Sequence, residues 1–218
     1  MNHSETDDQP NPEDSIDFNG LPNTIQSRSA LCIAKPAPLT DYALPLRITN
    51  RYADPDDCRI IVTPSVDAEE TIRQQDAIAP LSDNHLGIID TTADKHRDAL
   101  YQPTPIIYHP HPGELALITL ALWELNAALS PSCSKTHVIL RSLTPILSED
   151  SCERVINVLK QLIKRQQSNS SLTVFSVQYT EHSESTMSAI TELVDGVIWV
   201  EQKSNRTLQF DYQRTRNS

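Results

Sequence analysis

His109-Pro-His111 is the pair of side chains best spaced for chemistry. An HxH pair on an extended segment turns two imidazoles to one side, and Asp90 or Glu114 could add an oxygen ligand, as a zinc-type site requires. Pro110 and Pro112 hold the same stretch as a rigid turn, and no second His/Cys cluster accompanies it, so solvent-exposed turn histidines are the favoured reading and no metal is expected. Serine chemistry would need a GxSxG elbow or another activated serine on a strained turn. No serine here has flanking glycines; Ser142 sits between Arg141 and Leu143, and His182 with Glu181 has no nucleophile to serve. Glycine itself is scarce: Gly20, Gly87, Gly113 and Gly196 are all there are. Neither a GxxxxGK[ST] phosphate loop nor GxGxxG can be written with that set.

Cysteines stand at 32, 58, 133 and 152 with no CxxC, which gives neither a zinc ribbon nor a disulfide framework. Cys32, Cys133 and Cys152 border or enter apolar segments and read as small core hydrophobes. The chain of 218 residues has 29 Asp plus Glu against 18 Lys plus Arg, a net charge of −11. Six of the acids lie in residues 1–20, which hold no Lys or Arg. No basic run exists to release counterions from nucleic acid or to meet an anionic bilayer, so neither partner is expected. Trp123, Trp199 and Tyr179 lack a basic groove and read as core or interface aromatics rather than stacking platforms. Aspartate outnumbers glutamate 17 to 12 and arginine outnumbers lysine 12 to 6, a balance that suits a salt-rich cytoplasm. No signal-peptide pattern opens the sequence, and the most apolar stretch, 115–129, is too short and too polar to cross a bilayer. The expected compartment is the cytoplasm.

The elements that would position these side chains follow from periodicity. Residues 1–28 are acidic and proline-spotted with few apolar side chains, and are expected to form a disordered tail. From residue 29, strands are expected at 30–34, 59–63, 86–90, 105–109, 136–140 and 172–177, each a short apolar run. Helices are expected at 40–52, where Pro45 weakens the interior, at 67–77, capped by Asp67, and at 113–129. Two more are expected at 148–167, starting at Ser148, and at 184–194, with Gly196 as its C′ residue. Residues 196–201 and 207–212 read as a hairpin around Lys203-Ser-Asn-Arg206. Strands alternating with helices imply an α/β fold: a mostly parallel central sheet flanked by helices and closed by an antiparallel hairpin. One domain over 29–212, with a short tail at 213–218, accounts for the pattern.

Taken in order, Ser29 to Pro38, Ile60-Ile-Val-Thr63, Leu86-Gly-Ile-Ile-Asp90 and Tyr108 to Leu147 resemble RecA/KaiC-like P-loop domains, most closely a haloarchaeal family of small KaiC-like proteins. Pro112-Gly113-Glu114-Leu115 is similar to that family's Pro-Gly-Asp-Leu before a long helix. Ser142-Leu-Thr144 is similar to the Asp-Ser-Leu-Thr that ends the Walker B strand, and Asp195-Gly-Val-Ile-Trp-Val200 to a late Asp-Gly-Val-Val strand.

Against that pattern, the phosphate-handling positions are replaced. The stretch matching Walker A is Lys35-Pro-Ala-Pro-Leu-Thr-Asp-Tyr42. Pro36 and Pro38 have no N–H to offer; Thr40 falls on the second glycine position, Asp41 on the lysine and Tyr42 on the Mg²⁺-holding hydroxyl. Arg141 stands where Walker B has its acid. The exchange of charges suggests that Arg141 pairs with Asp41, or with Asp90 in its place; the alternative is an Arg141 side chain turned to solvent. The resemblance thus implies a RecA-like domain that neither binds nor hydrolyses ATP by the P-loop mechanism, needs no cofactor, and works through a protein partner or self-association in regulation or signalling. The alternative is an enzyme or ligand-binding protein using the strand-end crevice, with His109, His111, Asp90 and Arg141 as its groups.

Overall fold

The computed structural model describes residues 16–39, 42–92, 104–109, 111–204 and 207–215. Eight strands form one sheet: β1 (Ala30–Lys35), β2 (Cys58–Thr63), β3 (Leu86–Asp90), β4 (Ile106–Tyr108), β5 (Thr136–Leu140), β6 (Thr173–Gln178), β7 (Gly196–Ser204) and β8 (Thr207–Arg214). Their order across the sheet is β4-β3-β2-β5-β6-β1-β7-β8. Every pairing is parallel except β7 with β8, so the expected sheet and its closing hairpin are both present. The tip of that hairpin, residues 205–206, lies outside the described residues.

Because both faces of the parallel strands are covered, the strands are apolar on both sides. One face carries Cys32, Ile60, Val62, Val138, Leu140 and Phe175 beneath α3 (Leu115–Leu129), α5 (Cys152–Ser168) and α6 (Glu184–Leu193). The opposite face carries Leu31, Ile33, Ile61, Ile88, Ile139 and Val174 beneath α1 (Leu44–Tyr52) and α2 (Ala68–Ile78).

Several boundaries differ from the sequence expectation for local reasons. α1 starts at Leu44 rather than residue 40, which moves Pro45 into the first turn, where its missing N–H costs nothing. The helix expected from Ser148 is two helices, α4 (Thr144–Glu149) and α5. Pro145 opens α4, Asp150 is extended, and Ser151, not Ser148, caps α5 by accepting from Arg154 N–H at 3.4 Å. Gly196 begins β7 instead of closing α6. There Asp195 is clipped to β1, its N–H donating to Ala30 O (2.9 Å) and its Oδ2 accepting from Ala30 N–H (2.8 Å).

Two expectations are corrected outright. Several of residues 16–28, assigned to the tail by composition, pack on the face of the sheet that α1 covers, against β7 and β8. Leu21 is buried, Phe18 stacks 5.2 Å from Phe210, and Tyr52 Oη donates to Pro22 O at 2.7 Å. Gly20 makes this close approach possible: its φ is +98°, and a Cβ there would lie 2.1 Å from Phe210 O. Residues 1–15 and 216–218 lie outside the described residues. Cys58 and Cys133 form a disulfide across a sequence separation of 75, with a Cα–Cα distance of 5.8 Å. Spacing along the chain could not reveal it, because the fold brings the start of β2 beside the turn before β5.

Candidate functional site

In open α/β sheets ligands bind beyond the carboxyl ends of the strands, where the strand order reverses. Here β1 continues to β2 on one side of it, while β6 continues to β7 on the other. The crevice therefore opens above β1, β6 and β5, and the loops leaving those strands carry most of the positions singled out in the sequence.

The loop after β1 is a tight turn. Leu39 N–H donates to Pro36 O at 3.1 Å, and Ala37 N–H donates to Thr180 Oγ1 at 2.9 Å. Ala37 lies between two prolines that have no N–H, so the amide most available to an anion is already spent on a neighbouring loop. Lys35 is half-buried at the strand end. Tyr42 does not face the crevice: it is buried among Leu39, Leu44 and Ile48, and its carbonyl accepts from Arg47 Nε at 3.1 Å. Thr40 and Asp41 lie outside the described residues, and with them the expected Asp41–Arg141 pair.

Arg141 follows β5 directly and is buried at 4% exposure. Its backbone N–H donates to Val62 O (2.9 Å), and its Nη1 donates to Thr71 Oγ1 (3.0 Å) on α2. Thr71 Oγ1 in turn lies 3.4 Å from Thr63 Oγ1, at the end of β2. Asp90 is used differently. Its Oδ2 accepts from Ala68 N–H (2.9 Å), an orphan donor at the start of α2, and its Oδ1 accepts from Thr92 N–H (2.8 Å) and Thr92 Oγ1 (2.7 Å). Asp90 thus secures the helix start and the turn after β3.

The remaining loops are tied by hydroxyls. Thr144 Oγ1 accepts from Gln178 N–H at 2.9 Å and lies 3.1 Å from His182 Nε2. Leu143 N–H donates to Ser176 O at 2.7 Å, and Ser176 Oγ donates to Arg141 O. Burial holds the His182 imidazole below its ordinary value, with Glu181 pulling the other way. Ser142 is buried. His109 is half-buried, with its N–H donating to Asp90 O (2.8 Å), while His111 is exposed. Among the described residues no three His, Cys, Asp or Glu side chains gather as a metal site.

Sequence reasoning did not find the polar cluster at the opposite, amino end of the strands. Asp57 and His137 are both buried, with His137 Nε2 3.0 Å from Asp57 Oδ2. His137 Nδ1 accepts from Leu172 N–H at 2.9 Å, so the ring proton sits on Nε2 and donates to Asp57. Burial lowers the His137 pKa despite the carboxylate. Arg59, on the neighbouring strand, is 2% exposed, and burial lowers its pKa as well. Lys135 Nζ reaches Asp54 (3.1 Å) and Asp57 (3.7 Å). The alternation of β5 held a signal: residues 137, 139 and 141 share one face of the strand, which places His137 and Arg141 at its two ends.

Among the described residues no helix is long and apolar enough to cross a membrane. The fold is similar to the crystal structure of a KaiC-like protein from the hyperthermophilic archaeon Pyrococcus horikoshii OT3. The TM-score is 0.53 over 86% of this chain and 78% of that one, at 12% identity. That likeness supports the KaiC-like fold the sequence resembled, and it speaks to fold alone. No curated protein matches the sequence. The profile of a family of unknown function, DUF7504, matches residues 46–200, from inside α1 to the middle of β7, and the chain belongs to that family.

Proposed function

We propose that this protein is a non-catalytic KaiC-like domain that acts by binding another protein, as a regulatory or signalling module of a haloarchaeal cytoplasm. The observation that carries the reading is the loop after β1. Its one amide between two prolines is spent on Thr180, and the hydroxyl position of the motif is a tyrosine in the core. A triphosphate needs several N–H donors and a cation converging on it. Arg141, buried and donating to Thr71, supports the same reading, because the acid that would orient Mg²⁺ is replaced by a cation. The acidic, lysine-poor composition supports the haloarchaeal setting.

A ligand stabilises only the state it binds, so thermal unfolding of the full chain with and without Mg-ATP tests the reading. The expected result is the same melting temperature in both. A nucleotide-dependent rise that requires Mg²⁺ would overturn it.

A further inference from the structure

Beside the carboxyl ends of β1 and β6, the turn leaving β6 and the closing hairpin enclose a notch of about 250 Å³. Tyr179 and Trp199 wall it, and Glu201, Gln209 and Asp211 stand at its rim. It lies on the face of the sheet that carries α6, where both rings are half-buried and the three rim residues are exposed.

The strand register sets its chemistry. Trp199 pairs with Asp211 and Glu201 with Gln209, and alternation puts all four side chains on one face. The carboxylates therefore stand at diagonal corners of the ladder, roughly 7 Å apart, with the indole and the amide at the other two. Tyr179 closes the corner, its ring 5.5 Å from the Trp199 ring with the planes at 75°. Trp199 Nε1 donates to Gln213 Oε1 at 3.3 Å, which fixes the indole in place.

Aromatic walls with carboxylates beside them select a cation. A ring face draws positive charge and the carboxylates neutralise it, whereas an anion is repelled and a neutral apolar group leaves both carboxylates unmatched. Among the described residues no Lys or Arg lies over either ring, and neither Glu201 nor Asp211 forms an ion pair, Lys203 on the same strand included. Trp123 is the contrast, since the Arg165 guanidinium already covers its ring at 5.3 Å. The notch is smaller than the roughly 300 Å³ at which pockets take a whole small molecule, so it suits one head group. A guanidinium fits it better than an ammonium: it is planar and stacks on an indole, it is weakly hydrated, and its fork can bridge two carboxylates.

From this juxtaposition we infer that the Tyr179–Trp199 notch receives an arginine side chain of a partner protein, stacked on the aromatic corner and held by Glu201 and Asp211. The inference rests on the reading of the protein as an interaction domain, and it names the group on the partner that is recognised.

The probe is a short capped peptide of glycine and serine with one central arginine, compared with the same peptide carrying citrulline, which keeps the shape and drops the charge. Trp199 is the reporter in the full chain carrying Trp123→Phe, a change that removes the only other tryptophan. The arginine peptide is expected to change Trp199 fluorescence saturably and to bind at least about tenfold more tightly than the citrulline peptide. Glu201→Gln and Asp211→Asn, both at exposed positions, should each weaken it about fivefold and leave the melting temperature unchanged. Equal binding of the two peptides, or arginine-peptide binding indifferent to the double variant, would overturn the inference. So would free arginine binding as tightly as the peptide, since the notch would then serve a small molecule. Failure of the peptide test with no Mg-ATP shift leaves the non-catalytic reading standing, so the two failures are distinguishable.

Discussion

The two ends of the sheet are built from different interactions. At the amino end, β2 and the turn before β5 are joined by the Cys58–Cys133 disulfide, and Asp57 and His137 form a buried pair close to Arg59. At the carboxyl end hydroxyls join the loops after β1, β5 and β6, beside the buried Arg141 and Asp90: Thr180 to Ala37, Thr144 to Gln178 and His182, Ser176 to Arg141. A covalent bond, and a buried carboxylate held by a neutral imidazole N–H beside a buried guanidinium, must be made in one geometry or at large cost. Hydroxyl bonds are each worth about 1 kcal/mol net and have interchangeable partners. The amino end therefore fixes the frame. The carboxyl end, where ligands of such folds bind, is occupied by bonds among its own loops.

The sharpest test of that contrast is to cut the disulfide. Closing a loop across 75 residues is worth roughly 4 kcal/mol in the chain-entropy account. The Cys58→Ser, Cys133→Ser double variant should therefore lose most of that in urea unfolding. Adding reductant to the variant should change nothing further. A variant as stable as the oxidised protein would remove the staple from the comparison.

Asp57→Ala comes next. It removes the acceptor of His137 and the carboxylate nearest Arg59, and it leaves a buried guanidinium uncompensated. Breaking one partner out of such a pair costs about 3 kcal/mol. Thr144→Val, the equivalent cut at the carboxyl end, should cost about 1 kcal/mol, since it removes an acceptor for Gln178 N–H and a partner for His182. Equal losses for the two variants in urea unfolding would erase the distinction between the ends.

What the sequence disclosed follows the same division between local and distant contacts. The cap at Asp67 was legible because its partner, Glu70 N–H at 2.8 Å, is three residues away. The leucine stripe of α3 was legible because helical period is local. The disulfide, the Asp57–His137 pair and the seat of residues 16–28 against Phe210 join positions far apart in the chain, and periodicity carries no trace of them. At the candidate site, Arg141 was recognisable as a cation at a strand end, but its partner Thr71 depends on where α2 lies over the sheet. Thr180 was invisible for the same reason: nothing in its neighbourhood says that it meets Ala37. The sequence offers His182 no nucleophile, and its partner in the fold is Thr144, a residue that the sequence marks only by its place in a motif.

His137 gives the smallest expected effect and separates a neutral hydrogen bond from an ion pair at the amino end. Burial holds its imidazole below the ordinary value, and a proton on Nδ1 would break the bond from Leu172 N–H. The folded pKa is thus depressed relative to the unfolded one, so the unfolded chain takes up the extra proton first as pH falls. Stability from this residue is complete above about pH 6.5 and declines below it toward the folded pKa. His182 is shifted in the same direction by the same cause, so the slope of the wild-type protein contains both. His137→Gln removes one contribution, and urea midpoints taken at about pH 7.5 and about pH 5.5 should then differ less in the variant than in the wild type. A larger difference in the variant would mean that Asp57 holds an imidazolium inside the fold, which would make the amino end a salt bridge rather than a neutral lock, and an unchanged one would mean that burial does not shift His137.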